Sequence, residues 1–272
     1  MQVVDFIYDG KNLSDMGLKP CFFDSPDEEQ DIGNLIVTGD AKAPNTNEFL
    51  PVGLSYEDPF EFECQAAKDP CEEQQDFEFS DEEINQIVRW LNRRGYYKCQ
   101  PIYDDGSFPD VYYMGFFNIS LVKIAGKVMG FSFAFTANAP YGFQEIEPKT
   151  HTFASADEEW TIEDVSDEVG FINTTCKITC KAAGDLKITN SADPDNIVMV
   201  KNCSEGEVIT LYGKTKIITS SLAGHTKLYN DFNYNWVRVV NTYSSRENKF
   251  KCNLAADVEI NYAPIRKVGV VL

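Results

Sequence analysis

The chain has 272 residues, 43% hydrophobic and 25% charged, enough for about two domains with a sizeable core; these values exclude a disulfide-stapled miniprotein and a disordered chain. No apolar run approaches the ~20 residues a membrane-crossing helix needs, and the 19 Phe, 13 Tyr and 3 Trp stand among Val, Ile and Thr in short alternating runs, which predicts a mainly β protein without membrane insertion. The net charge of −19 sits at the front, with 22 acids against 4 bases in residues 1–83 and near balance beyond, a distribution that repels phosphate and excludes ordinary nucleic-acid binding through Lys and Arg.

The first residues lack a basic leader and the apolar stretch of a signal peptide, so folding in a cytoplasm is expected. Val3–Tyr8 reads as a strand with Phe6 and Tyr8 on one face, turned by Asp9-Gly10. Residues 34–38 and 52–64 are further candidate strands. From Glu57 to Glu83 the chain is dense in Asp, Glu, Gln and Pro and is expected to include an exposed loop.

A helix is predicted to start at Ser80, where Glu83 completes a capping box and Asp81 and Glu82 face the positive end of the dipole. Ile84, Ile87, Val88 and Leu91 give it one apolar face, Arg89, Arg93 and Arg94 suit its negative end, and Gly95 stops it. Strands follow at Tyr97–Tyr103, Val111–Ile124 and 127–136, the last two joined at Ala125-Gly126, with Phe131, Phe133 and Phe135 on one face. A hairpin this long and apolar calls for a partner or a cover along its edge.

Asn138-Ala139-Pro140-Tyr141-Gly142 and Pro148 break the pattern and place a domain boundary near 143–150. Beyond it about eight short strands are expected, at 174–181, 185–189, 197–201, 207–212, 216–219, 235–240, 248–254 and 257–262, the pattern of an antiparallel β-sandwich.

The chemistry-bearing residues form no catalytic constellation. Only His151 and His225 exist, and both read as surface residues, leaving Ser-His-Asp and Cys-His mechanisms without candidates. Gly130-Phe131-Ser132-Phe133-Ala134 lies inside a strand, whereas a nucleophile elbow sits on a sharp turn into a helix. Asp193-Pro194-Asp195-Asn196 and Asp104-Asp105-Gly106 suit turns better than calcium loops, and phosphate-cradling glycine motifs are absent. The eight cysteines read as buried, reduced thiols; Cys176 and Cys180 share a strand face, and a zinc site would need Cys203 or Cys252 beside them. Hence no catalytic, cofactor-binding or metal-ligating residue is predicted, no cofactor is expected, and the chain reads as a binding or assembly protein, not an enzyme.

Several segments carry a resemblance when taken in order. They are Val4-Asp5-Phe6-Ile7-Tyr8-Asp9-Gly10 with Ser14-Asp15-Met16-Gly17-Leu18, then Trp90-Leu91-Asn92, Tyr113 to Gly115, and the Gly126-Lys127 hairpin ending in Asn138-Ala139-Pro140-Tyr141. In the second half they are Gly184-Asp185-Leu186-Lys187-Ile188-Thr189-Asn190, Asn233 to Trp236, and Tyr262-Ala263-Pro264-Ile265-Arg266. This succession, covering nearly the whole chain, resembles the distal tail protein family of long-tailed (siphovirus-type) bacteriophages and related prophage tails.

The resemblance implies a β-sandwich-like, ring-forming N-terminal domain with one α-helix at 1–147 and a galectin-like antiparallel β-sandwich at 148–272. It further implies a hexameric baseplate hub at the virion tail tip, assembled in the host cytoplasm. The implied partners are the chain itself, the tail tube protein, a tail-tip protein and receptor-binding proteins, with DNA passing through the centre without specific binding. The principal alternative is a carbohydrate-binding adhesion module, since Tyr229, Phe232, Tyr234 and Trp236 could stack on sugar rings. A wall-polymer hydrolase would need a carboxylate pair in a cleft.

Overall fold

A computed structural model of the chain describes residues 3–21, 35–42, 49–56, 58–68, 77–156, 158–242 and 244–268. Two compact units result, Met1–Phe143 with Lys267–Leu272, and Gln144–Arg266. Antiparallel strand pairing builds both.

In the first unit the strands are β1 (Val3–Tyr8), β2 (Lys11–Asn12), β3 (Leu18–Cys21), β4 (Leu35–Lys42), β5 (Phe49–Tyr56), β6 (Glu61–Lys68), β7 (Tyr97–Tyr103), β8 (Val111–Ile124), β9 (Lys127–Ala137) and β10 (Gly142–Gln144), with helix α1 (Asp81–Leu91) between β6 and β7. The main sheet runs β2-β1-β7-β8-β9-β6-β3, and β4 with β5 forms a separate hairpin. Two tight turns set the hairpin registers. Asp9 and Gly10 both take positive φ, as do Ala125 and Gly126, the backbone twist that matches two-residue hairpins.

One face of this sheet is apolar because alternation sends Phe6 and Tyr8 of β1, Phe117 of β8, Phe62 of β6 and Phe131, Phe133 and Phe135 of β9 the same way, all buried. Phe117 packs on Phe6 at 5.2 Å and on Phe135 at 4.9 Å between ring centroids, and full burial of each ring contributes about 1.5–3 kcal/mol. Gly115 is required where β8 passes Phe135, since a Cβ there would collide with that ring and the Thr136 carbonyl.

Helix α1 covers this face. Its capping box is formed as expected, with Ser80 as N-cap and Glu83 closing it. Its buried residues are Ile87, Trp90 and Leu91, whereas Val88 is exposed; the apolar stripe is rotated from the expected one because the Trp90 indole N–H donates to the carbonyl of Tyr8 at 3.0 Å. The helix ends at Leu91, before Gly95. Arg93 lies over the Tyr97 ring at 3.9 Å and pairs with Asp9 at 2.9 Å.

Two strand expectations need correction here. The run 52–64 is two strands, β5 and β6, interrupted by Pro59, and the strand expected at 34–38 extends to Lys42.

The second unit holds β11 (Lys149–Phe153), β12 (Trp160–Glu163), β13 (Gly170–Asn173), β14 (Thr175–Cys180), β15 (Gly184–Asn190), β16 (Val198–Cys203), β17 (Val208–Tyr212), β18 (Ile217–Ser220), a short helix α2 (Leu228–Asp231), β19 (Arg238–Asn241), β20 (Glu247–Cys252), β21 (Ala256–Asn261) and β22 (Ile265–Arg266). A five-stranded sheet, β11-β21-β14-β17-β18, and a four-stranded sheet, β12-β20-β15-β16, share a core of Ile178, Ile188, Val200, Ile209, Leu211 and Phe250, among others, while β13 pairs with β19. Buried amides are satisfied: Asn190 Nδ2 donates to Asn248 Oδ1 at 2.8 Å, and that oxygen also accepts from Val240 N–H at 2.8 Å. The expected strand at 235–240 begins only at Arg238, and the short helix α2 precedes it.

Candidate assembly surface

The long hairpin β8–β9 offers unequal edges. β9 is interior, paired with β8 on one side and, from Gly130 to Thr136, with β6 on the other. β8 meets β7 only where Tyr113 to Gly115 face Cys99 to Tyr97. β8 also pairs with β10, whose Gly142 lies against Val111 and Tyr113 near the start of the strand, so among the described residues the register of positions 116–124 is with β9. Among the described residues no other strand pairs with the outward backbone groups of these positions, and such an edge invites a further strand. At the far end of this edge Leu121 is 42% and Ile124 53% exposed, and at its near end the exposed ring of Tyr96 lies 6.1 Å from Phe116.

The described acids of the front segment divide between two sides of the sheet. Glu61 and Glu63 alternate with buried Phe62 and Cys64 and so lie on the face opposite α1; Glu61 accepts a bond from Thr136 Oγ1 at 2.9 Å. Asp81, Glu82 and Glu83 occupy the first turn of α1, on the covered side. Glu72 and Glu73 lie outside the described residues.

The aromatic quartet of the second unit also divides. Phe232 and Trp236 are core residues with ring centroids 5.0 Å apart, whereas Tyr229 and Tyr234 are both 60% exposed. Each of the two turn sequences is held by its own acid: Asp193 binds Arg238 at 2.7 Å, and Asp105 accepts from Ser107 N–H at 3.0 Å. Among the described residues no group of three or more His, Cys, Asp or Glu side chains is arranged to hold a metal ion. Ser132 sits within β9.

His225 corrects the sequence reading: its side chain is nearly inaccessible, with Nδ1 2.7 Å from Glu207 Oε1 and Nε2 3.2 Å from Asp231 Oδ2. Glu207 is itself buried and also accepts from Ser220 Oγ at 2.5 Å and Ser204 N–H at 2.8 Å. Burial works against a charged imidazole, but the two carboxylates raise its pKa above the ordinary value. Burial likewise opposes ionisation of Glu207, yet Ser220, Ser204 and His225 together lower its pKa. The partners stand 18 and 6 residues away in sequence, too dispersed for a local motif. His151 is half-buried, stacked on Trp160 at 5.5 Å and bonded to Glu158 at 3.0 Å. Of the seven described cysteines, all free, six are buried and Cys21 is half-buried; Cys71 lies outside the described residues.

Residues 1–139 match a family profile described as a phage tail protein N-terminal domain, and residues 141–262 match one described as a phage tail C-terminal domain. The chain belongs to this phage tail protein family. Among solved structures, the tail protein is similar to the Dit protein of phage SPP1, described as a paradigm of the hub adsorption apparatus in phages infecting Gram-positive bacteria. The TM-score is 0.63 at 11% identity, over 96% of this chain and 99% of that one. It is also similar to a chain of the phage p2 baseplate in its activated conformation, with a TM-score of 0.45 at 11% identity over the full length of both. No curated protein matches it. The mainly β, two-domain, antiparallel fold expected from the resemblance is thus the fold this tail protein has, and it is that of Dit.

Proposed function

We propose that this phage tail protein is the distal hub of a long tail: six copies close into a ring, chiefly through the first unit, and join the tail tube to the tail tip and its receptor-binding apparatus. DNA passes through the centre of the ring, and the protein itself catalyses nothing. The observation that carries this reading is the open edge of β8 with its apolar tip. An edge of that length in a soluble protein invites pairing, and a closed cyclic assembly removes it in every copy at once. Phage tail family membership and the Dit-like fold support the same role.

The Glu61–Glu63 face is proposed to turn toward the channel, where repulsion keeps the duplex off the wall; basic residues there would brake it through counterion release. The second unit is proposed to receive the peripheral proteins. Native mass spectrometry of the full chain tests the hub. Six copies of a 30.7 kDa chain give a species of about 184 kDa, and a monomer at every concentration would overturn the reading.

Exposed Tyr229 and Tyr234 favour one rival, a sugar-binding module, because rings stack on sugar faces. A glycan array probed with the full chain separates the two: specific binding abolished by Y229A/Y234A supports the rival, and a blank array supports the hub.

A further inference from the structure

The connection from β18 to α2, residues 221–227, is fastened to the second unit at its two ends. Ser221 N–H donates to the Val208 carbonyl at 2.9 Å, and Ser221 Oγ accepts from Val208 N–H at 2.9 Å. At the other end Leu228 and Phe232 are buried, and Phe232 bridges to Val200 of β16. Between these anchors Leu222, Ala223, Gly224, Thr226 and Lys227 are exposed. The backbone bonds here are local: Leu222 N–H donates to Ser220 Oγ at 3.0 Å, His225 N–H to the Leu222 carbonyl at 3.0 Å and Thr226 N–H to the Gly224 carbonyl at 2.9 Å. A polar cavity of about 240 Å³ is lined by this connection and by Asn202 and Ser204 at the end of β16. Among the described residues, the side chain that ties 222–227 to the body of the unit is therefore that of His225.

We propose that His225 is a proton-operated latch: with the imidazole charged the connection is closed on the sandwich, and loss of its proton lets residues 222–227 swing out and open the cavity while the strands stay folded. The imidazolium has one N–H for each carboxylate, Nδ1 to Glu207 at 2.7 Å and Nε2 to Asp231 at 3.2 Å. A neutral ring has only one. The Glu207 side chain is fully enclosed and cannot turn to water, whereas Asp231 is 15% exposed at the rim. The remaining N–H therefore stays with Glu207, and Nε2 is left presenting a lone pair to the Asp231 carboxylate. One charge-assisted bond is lost, and the exposed residues on either side supply no apolar packing to replace it.

The charged and titratable groups around the ring come from every side. Glu207 leads into β17, Asp231 closes α2, and Lys227 lines the same cavity from the connection. Cys203 ends β16 with its thiol donating to the Val200 carbonyl at 3.4 Å, and Cys180 of β14 reaches Glu207 through its backbone, N–H to carbonyl at 2.9 Å. Burial alone favours the neutral ring, and Glu207 and Asp231 outweigh it. The latch is accordingly closed below the ordinary histidine value near 6.5 and opens as pH rises through the higher folded value.

Hydrogen–deuterium exchange of the full chain tests the latch between about pH 5.5 and 8.5, either side of the histidine range, with labelling times scaled for the intrinsic pH dependence of amide exchange. Protection of residues 222–231 is expected to fall about tenfold at the higher pH, the equilibrium worth of one charge-assisted hydrogen bond, while β14 and β17 keep theirs. The midpoint of the loss should lie above the ordinary histidine value. H225Q, which takes up no proton, should show the low protection at both pH values. D231N keeps the buried bond to Glu207 and should lose most of the pH response, so the question is decided even if H225Q folds poorly. Unchanged protection of 222–231 in the wild type, an equal loss across β14 and β17, or a wild-type response in D231N or in folded H225Q would each overturn the proposal.

Discussion

Lys68 Nζ lies 2.8 Å from Glu83 Oε1, an ion pair that ties the end of β6 to the first turn of α1. The same carboxylate accepts from Ser80 N–H at 2.8 Å, while Glu83 N–H donates to Ser80 Oγ at 3.3 Å. Burial disfavours the charge, but Lys68 and Ser80 outweigh it and hold the Glu83 pKa below its ordinary value. Stability from this group is therefore present at neutral pH and is lost as pH falls through the folded value. E83A should cost about 1–2 kcal/mol, the worth of a helix cap, whereas E82A, in the same turn without these bonds, should stay within about 0.5 kcal/mol. Thermal denaturation of the two variants side by side reads the contrast.

Because Glu83 stabilises the helix, reversing its charge cannot report cleanly on a channel wall. The Glu61–Glu63 face can. With E61K/E63K, rings should assemble with normal mass while DNA ejection from intact particles slows, as new phosphate contacts brake the duplex. Unchanged ejection kinetics would place that face away from the DNA path.

Charging the tip of the open edge should separate assembly from folding. Leu121 and Ile124 are exposed, so L121K/I124K is expected to leave Tm within a few degrees and to convert the ring to monomer in native mass spectrometry. A ring that survives both lysines would show that the joint lies elsewhere.

His225 carries a pH signature. Its folded pKa is raised by Glu207 and Asp231, so its stabilising contribution is complete below the ordinary histidine value near 6.5 and disappears as pH rises through the folded value. The Tm difference between wild type and H225Q should accordingly shrink on titration from pH 5.5 to 8.5. E207Q, which leaves the imidazole beside a neutral amide, should cost about 3 kcal/mol at pH 6.

The sequence was most legible where structure is decided locally. The Ser80–Glu83 box marks the start of α1 because all its partners lie within one turn, and β1, β7 and β8 have the expected bounds because alternation and turn residues act within each strand. Legibility fell where partners are distant. Val88 yields the buried position to Trp90 because of a bond to Tyr8, and His225 is buried by Glu207. The short strands β11, β12 and β13 went unread because each is held by a remote strand, β21, β20 and β19 respectively, and carries too few residues to show a period. The open edge of β8 was legible only as a long apolar hairpin; which half stays unpaired depends on the offset at which β7 meets it.

The second unit starts at Gln144 and finishes at Arg266, and the chain then returns to the first unit through Lys267. Gln144 N–H donates to the Pro264 carbonyl at 2.8 Å, so entrance and exit of the second unit are neighbours. Val268 repays the return by accepting a bond from the Tyr113 hydroxyl. A domain held this way is an insertion with its two ends side by side, which a short peptide could replace without stretching its host. Any pull on it divides between two covalent connections, a tether better suited to bearing a swinging load than the single linker of domains strung end to end.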